Sequence, residues 1–345
     1  MQTRFPPAAP AIGLLASCLM LAACGGSSDG GDVNSILTPS TGTGTNSTLT
    51  GTLVSERFPA VANRLQVSTN SAGGVINATT QTTSYGTMAI AYNAQSNSYT
   101  LSDSGSSKVT VFTPADQTAS TAAFRHYRVG NEDLSILANQ TGNPRVNLSY
   151  VTYGVWAQVA TAGGTSNYRT LVAGVQTPYG NVPRTGTGTY TGAVDGYWVA
   201  GGVQQRLLGS VGSMTANFTS GVVNTTLSIS GTTDLSDNGA GQRNILGTYS
   251  GAGTIQSGTN QFGGVLNPVN QGETRADPSY TGNYTGAFYG PNANEAGLSF
   301  NLQSSAQGGG TLSGVLVGRG IIVADPPATT TPATTTPTTT TPTGG

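Results

Sequence analysis

The sequence predicts an all-β protein: a β-rich first region followed by an eight-stranded antiparallel up-and-down β-barrel. Three observations predict it. Tyr, Phe, Val, Leu and Ile recur at every second position in many short stretches, the period of a strand with one buried face. The 345 residues include 50 glycines and only 8% charged side chains, against about 25% charged in an average globular chain. Residues from about 186 to 320 contain eight such stretches, and a closed barrel of eight strands is just wide enough to be filled by its own side chains or one small ligand.

The chain opens on an export signal over residues 1–23. Arg4 gives the positive charge, Ala11 to Leu21 the apolar core, and Leu21-Ala22-Ala23-Cys24 a lipobox, so cleavage would leave Cys24 as an acylated first residue carrying palmitate-like chains. Cys18 would be lost with the signal, and the mature chain could form no disulfide. No apolar run of about 20 residues follows Cys24, which excludes a transmembrane helix. Residues 24–50 are rich in Gly, Ser, Thr and Asn and are expected to form a flexible linker. Residues 323–345, a Thr/Pro-rich tail, are expected to be disordered with polyproline-like stretches.

Residues 51–182 read as the β-rich first region. Strand candidates are Tyr85–Tyr92, Ser98–Ser102, Lys108–Phe112, Val146–Ala160 and Tyr168–Gln176, with turns at Asp103-Ser104-Gly105 and Thr141-Gly142-Asn143-Pro144. The strongest of them carries large side chains on both faces (Leu148 and Tyr150 on one, Tyr153 and Val155 on the other), as expected where a strand packs on both sides. Arg125, His126, Arg128, Glu132 and Asp133 form the most charged short stretch and are expected in a solvated loop.

Residues 183–322 read as the barrel. Its strand candidates are Thr187–Val199, Gln205–Phe218, Val222–Ser230, Ile245–Gln256, Gln261–Leu266, Thr281–Tyr289, Leu298–Gln303 and Thr311–Gly318. Tyr190, Val194 and Trp198 share one face; Val223, Leu227 and Ile229 oppose Asn224, Thr226 and Ser228. Short loops favour a meander, and closure removes exposed strand edges. An integral outer-membrane barrel would need a tall apolar outer band, and strands such as Leu298–Gln303 are too short for one.

The most distinctive stretch is Tyr284–Leu302. Its two strands flank Gly290-Pro291-Asn292, residue types that force a turn. Gly286, Phe288, Tyr289, Gly290, Pro291, Asn292, Ala293, Glu295, Gly297 and Phe300 resemble the hairpin motif of transferrin-binding-protein-B-like surface lipoproteins. Leu298 stands where that family usually has a second glycine. Leu148 to Trp156 and, less specifically, Phe112 to Asp116 resemble the segment that precedes the barrel there, called a handle. The resemblance implies a handle-and-barrel lipoprotein that captures a host or extracellular protein, such as an iron or haem carrier. Glu295 is expected to shape the hairpin.

The search for chemistry is negative. His126 stands alone, so neither a His-based metal site nor a catalytic triad in a supporting Gly-x-Ser-x-Gly context is present. Asp195, Glu273, Asp277 and Glu295 would have to converge for glycoside hydrolysis; turn-like contexts account for three of them, and Glu295 is a motif position. No phosphate loop occurs, no cofactor is implied, and a formal net charge of -1 suggests no nucleic acid. The expectation is a non-catalytic, monomeric, lipid-anchored protein of the outer membrane, at the cell surface. Tyr197, Trp198 and Arg206, at a strand end and loop, are its candidate ligand contacts, as aromatics and Arg often anchor interfaces, although the place of Trp198 on the Tyr190–Val194 face favours core packing for it. The alternative is a periplasm-facing carrier holding a small apolar ligand inside the barrel, in the space left by its inward glycines.

Overall fold

The computed structural model describes residues 45–237, 241–269 and 276–325. Cys24, the signal, the first part of the linker, Glu273 and the tail beyond residue 325 lie outside the described residues. The described chain is all-β: eighteen strands and three single-turn 3-10 helices, in two sheets of nine strands each.

The first sheet comprises β1 (Glu56–Thr69), β2 (Val75–Thr82), β3 (Met88–Asn93), β4 (Ser98–Asp103), β5 (Lys108–Phe112), β6 (Phe124–Val129), β7 (Glu132–Leu137), β8 (Val151–Gln158) and β9 (Thr165–Gly174). Its order is β5-β4-β3-β1-β9-β8-β7-β6, with β2 alongside the second half of β1. The sheet curls until its edges meet: the Tyr127 ring of β6 lies 5.8 Å from Tyr99 of β4 and 6.2 Å from Phe112 of β5. Inside the curl Phe58, Met88, Ile90, Leu101, Leu134, Trp156 and Leu171 form a core.

The second sheet comprises β10 (Thr187–Ala200), β11 (Val203–Arg206), β12 (Val211–Asn217), β13 (Val222–Thr232), β14 (Arg243–Ile255), β15 (Gln261–Pro268), β16 (Tyr280–Tyr289), β17 (Glu295–Ser304) and β18 (Thr311–Val323). Each pairs antiparallel with its neighbour, and β10 closes the ring on β18 from Thr187↔Val323 to Val199↔Thr311. β11 and β12 both pair with β10 and share one place in the ring, so the barrel has the expected eight strands. The expected single strand Gln205–Phe218 is interrupted between Arg206 and Val211, where Leu207 turns inward to the core.

Four strands of the first sheet are absent from the sequence-based expectation. β1 and β2 carry polar residues at unhelpful positions, and the Phe124–Leu137 stretch forms the hairpin of β6 and β7 rather than a solvated loop. Polar and charged side chains interrupt the alternation in them, and β1 in addition pairs with the distant β9. The segment before β1 is also ordered earlier than expected: Asn46 is buried, its side chain bonded to Glu56 and Val54, and the Leu49 amide donates to the Ser149 carbonyl at 2.6 Å.

One end of the curl is closed by charges. Asp103 is fully buried and accepts hydrogen bonds from Arg64 Nε at 2.8 Å, Arg169 Nε at 2.9 Å and Ser106 Oγ at 2.7 Å. Arg169 also stacks on Trp156 at 4.4 Å. Burial by itself raises the Asp103 carboxyl, but the bonds from Arg64, Arg169 and Ser106 and the Arg64 charge outweigh it and hold the group below its ordinary value of 3.8. A carboxyl lowered on folding stabilises the protein above its unfolded value and loses that contribution as pH falls through the folded one. Asp103→Asn is therefore expected to lower the melting temperature at neutral pH and to flatten its fall in acid below about pH 4. Melting curves across that range check it, and an unchanged acid slope would refute the assignment.

Candidate functional site

The barrel interior is the first place to look for a ligand, and it is full. Tyr190, Trp198, Phe218, Tyr249, Phe262, Tyr280, Tyr284, Phe288 and Phe300 point inward with Val223, Leu227, Leu298, Leu302 and Leu316. The Phe262 and Phe288 rings lie 4.9 Å apart, Phe218 and Phe288 5.5 Å. Phenol ends are satisfied internally: Tyr190 donates to the Ala293 carbonyl at 2.8 Å, Tyr284 to the Val223 carbonyl at 3.0 Å, and Tyr280 accepts from Trp198 Nε1 at 3.0 Å. The inward glycines hold no space open. A Cβ at Gly286 would lie 2.4 Å from the Phe262 ring, and one at Gly253 2.7 Å from the Tyr284 hydroxyl; glycine makes room for rings, as in other small barrels. The void beside Tyr190, Met214 and Leu316 measures about 10 Å³, the space of a single water. The alternative of a carrier with its ligand inside the barrel is corrected by this packing.

The outer wall is equally informative. On β13 and β14 the outward residues include Asn224, Thr226, Ser228, Thr248, Ser250 and Thr254, set by the Leu227↔Tyr249 register that turns those two side chains inward. A lipid-facing wall would be apolar there. No helix among the described residues is long and apolar enough to cross a membrane.

The other flank, β10 with β16 to β18, is covered by the first sheet. Val61, Phe124, Val151, Tyr153 and Val172 pack on Ala287, Tyr289, Val315 and Val317. Leu65, Val67, Val155 and Tyr168 pack on Tyr197 and Val199. Both faces of β8 are therefore occupied, as its two-sided pattern predicts.

The hairpin Tyr284–Leu302 is where the two sheets are joined. Its carboxylate, Glu295, is 2% exposed. Oε1 accepts the Ser149 amide at 2.7 Å, and Oε2 those of Tyr150 and Val151 at 2.8 and 2.9 Å. These are the amides at the start of β8, and taking them explains why that strand begins at Val151 rather than Val146. Burial pushes the Glu295 carboxyl above its ordinary value, opposed by the three amides and the charge of Arg319. Glu295 is thus a clamp between sheets; the expectation that it shapes its own hairpin is corrected.

The turn fastens the chain that links the sheets. Gly290 donates to the Val175 carbonyl at 2.8 Å, and Thr177 donates to the Phe288 carbonyl at 3.0 Å through its amide and to the Gly290 carbonyl at 2.7 Å through its hydroxyl. Gly290 has φ +83, and a Cβ there would lie 2.7 Å from the Tyr150 ring. Gly297 permits the closest approach of the first sheet, since a Cβ would sit 2.4 Å from Val172 Cγ1. Phe288 and Phe300 fill the barrel, and Tyr289 is buried against the first sheet. Pro291 and Asn292 are exposed at the tip.

The three candidate contact residues are all buried, which corrects the assignment of Tyr197 and Arg206 to ligand contact and agrees with the core-packing role expected of Trp198. Trp198 points into the barrel. Tyr197 stacks on Tyr168 of the first sheet at 4.7 Å between centroids. Arg206 is 3% exposed and binds Asp195 with two hydrogen bonds, Nε to Oδ1 at 2.7 Å and Nη2 to Oδ2 at 2.8 Å. Its other donor reaches the Leu235 carbonyl at 3.2 Å, and Asp237 lies 3.4 Å away. Asp237 also meets His126 Nε2 at 2.6 Å, so His126 links β6 to a barrel loop. Two of the carboxylates weighed for catalysis, Asp195 and Glu295, are thereby committed to structural bonds. Among the described residues no group of three His, Cys, Asp or Glu side chains could hold a metal ion.

No protein-family model and no curated protein matches the sequence. Solved structures do. The chain is similar to a transferrin binding protein B variant from Haemophilus parasuis, with 15% identity and a TM-score of 0.42, over 77% of this chain and 45% of that one. It is similar to transferrin binding protein B from Neisseria meningitidis, with 16% identity and a TM-score of 0.43, over 76% and 43%. The N-lobe of lactoferrin binding protein B from Moraxella bovis matches at 13% identity and a TM-score of 0.33, over 56% of this chain and 81% of that one. The chain thus spans less than half the length of the two transferrin-binding proteins.

Proposed function

We propose that this chain is a non-catalytic, ligand-binding lipoprotein of the outer membrane, tethered through Cys24 and acting as a monomer at the cell surface, with a host or extracellular protein such as an iron or haem carrier as its ligand. The observation that carries the proposal is the Tyr284–Leu302 hairpin. Its wording resembles the motif of transferrin-binding-protein-B-like lipoproteins, and its residues fasten a curled sheet to a solid barrel. Such a barrel has little room inside and much outside for contact: loops and strand edges held by a rigid scaffold are where recognition residues usually sit. With Tyr197, Trp198 and Arg206 buried, the contacts belong on exposed loops instead.

Protease shaving of intact cells tests the surface assignment, with the tag at the C-terminus, beyond β18, which runs to Val323. Loss of the tag while a periplasmic control survives is the expected result. Persistence of the tag until the outer membrane is opened would exclude an external protein as the ligand. Immobilised full mature chain should then retain a partner from host fluid that a variant unfolded at the joint does not.

A further inference from the structure

The curl of the first sheet is plugged by the Asp103 ion pairs at one end and hollow at the other. The hollow has a volume of about 590 Å³, inside the range of small-molecule sites, roughly 300–1,000 Å³. Its walls come from β1, β3, β4, β7 and β9, with Phe58, Ile90, Tyr99 and Ile136 among the lining side chains. The segment Leu49–Leu53 lines it as well, and the backbone bond from Leu49 to Ser149 pins that segment in place. Gly51, Thr52 and Arg125 on its rim are exposed, so the hollow opens to solvent there.

Arg125 supplies the chemistry. The inward neighbour of Arg125 on β6, Tyr127, packs in the core of the curl, and Arg125 Nη1 reaches across to the Tyr99 hydroxyl at 3.4 Å. No carboxylate of the described residues pairs with it; its neighbours there are the hydroxyls of Tyr99 and Tyr127. The lining is mixed: Phe58, Ile90, Ile136 and Leu137 give an apolar wall, and Asn97 and Gln140 are among its polar groups. A guanidinium flanked by phenols beside an apolar wall is complementary to an apolar chain ending in one anion, because a guanidinium binds a carboxylate through two parallel bonds.

We propose that this hollow is a binding site for a single-chain anionic amphiphile of the fatty-acid class, its chain among Phe58, Ile90 and Ile136 and its carboxylate on Arg125. The site is distinct from the filled barrel and from whatever surface a protein partner uses.

The test uses the full mature chain with Cys24→Ser, so that no attached lipid competes. Palmitate should displace dansyl-undecanoate saturably at one site per chain. Arg125→Glu, at an exposed position, should weaken palmitate about tenfold or more while leaving the uncharged analogue hexadecanol bound as before. Leu53→Trp, which fills the opening from a half-buried position, should weaken both. Circular dichroism confirms that each variant is folded. Absence of saturable palmitate binding would overturn the proposal, as would equal palmitate affinity in the parent and both variants.

Discussion

Glu295→Ala is expected to destabilise the protein by about 3–5 kcal/mol, the range for removing one partner from a buried, fully bonded charge. The substitution deletes the acceptor of three amides at once, those of Ser149, Tyr150 and Val151. The Val151 amide is buried and those of Ser149 and Tyr150 are partly so, and each buried donor left unpaired costs about 1–3 kcal/mol. Glu295→Gln is expected to fall between the two: one oxygen still accepts, but the new NH₂ faces a donor. Urea unfolding followed by tryptophan fluorescence reads the effect as a lower midpoint, and limited proteolysis should show faster cleavage before β8 and in the segment from Val175 to Val182. A shift of less than 1 kcal/mol in Glu295→Ala would mean that apolar packing, not the clamp, holds the joint; roughly this threshold is the net worth of one ordinary hydrogen bond.

The Asp195–Arg206 pair carries the second large effect. Both side chains are buried where the barrel meets the first sheet, joined by two hydrogen bonds. Burial disfavours the Arg206 charge, but Asp195, Tyr197 and Asp237 outweigh it and keep the guanidinium firmly protonated. Arg206→Met strands the Asp195 carboxylate, and Asp195→Leu strands the guanidinium; each is expected to cost about 3–5 kcal/mol. The double variant should cost much less than the sum, because neither charge is then left uncompensated. A double-mutant cycle from urea midpoints measures that coupling. Additive single effects would show that the two side chains act independently. Retained stability in Arg206→Met with loss of partner binding would return Arg206 to the role of a ligand contact.

The barrel was legible because its signal is local. Alternation in Tyr190–Trp198, Val223–Ile229 and Leu298–Leu302 fixes which side chains turn inward, and that depends only on the period of a strand. The same pattern gave no hint of β1, whose Asn63 is buried beside Thr170 of β9, 107 residues away, or of β6, whose charged residues Arg125 and Arg128 mask the alternation. The motif hairpin was recognised from its wording, but its work as a joint was not, since the acceptor and donors of the Glu295 clamp are 144 to 146 residues apart.

By itself, then, the sequence determined the all-β class, the eight places in the barrel and the two-sided alternation of several barrel strands. Tertiary structure decided what lies on the outward faces. Period-two alternation separates the two sides of a strand but says nothing of whether the outer side meets water or a second sheet. For that reason Arg206 and Tyr197, polar-edged residues on an outer face, looked like surface anchors and proved to be buried beneath the first sheet. The same long-range geometry decided where space remains: rings from distant strands meet over inward glycines and fill the barrel, while the curl of the first sheet, closed by charges at one end only, stays hollow at the other.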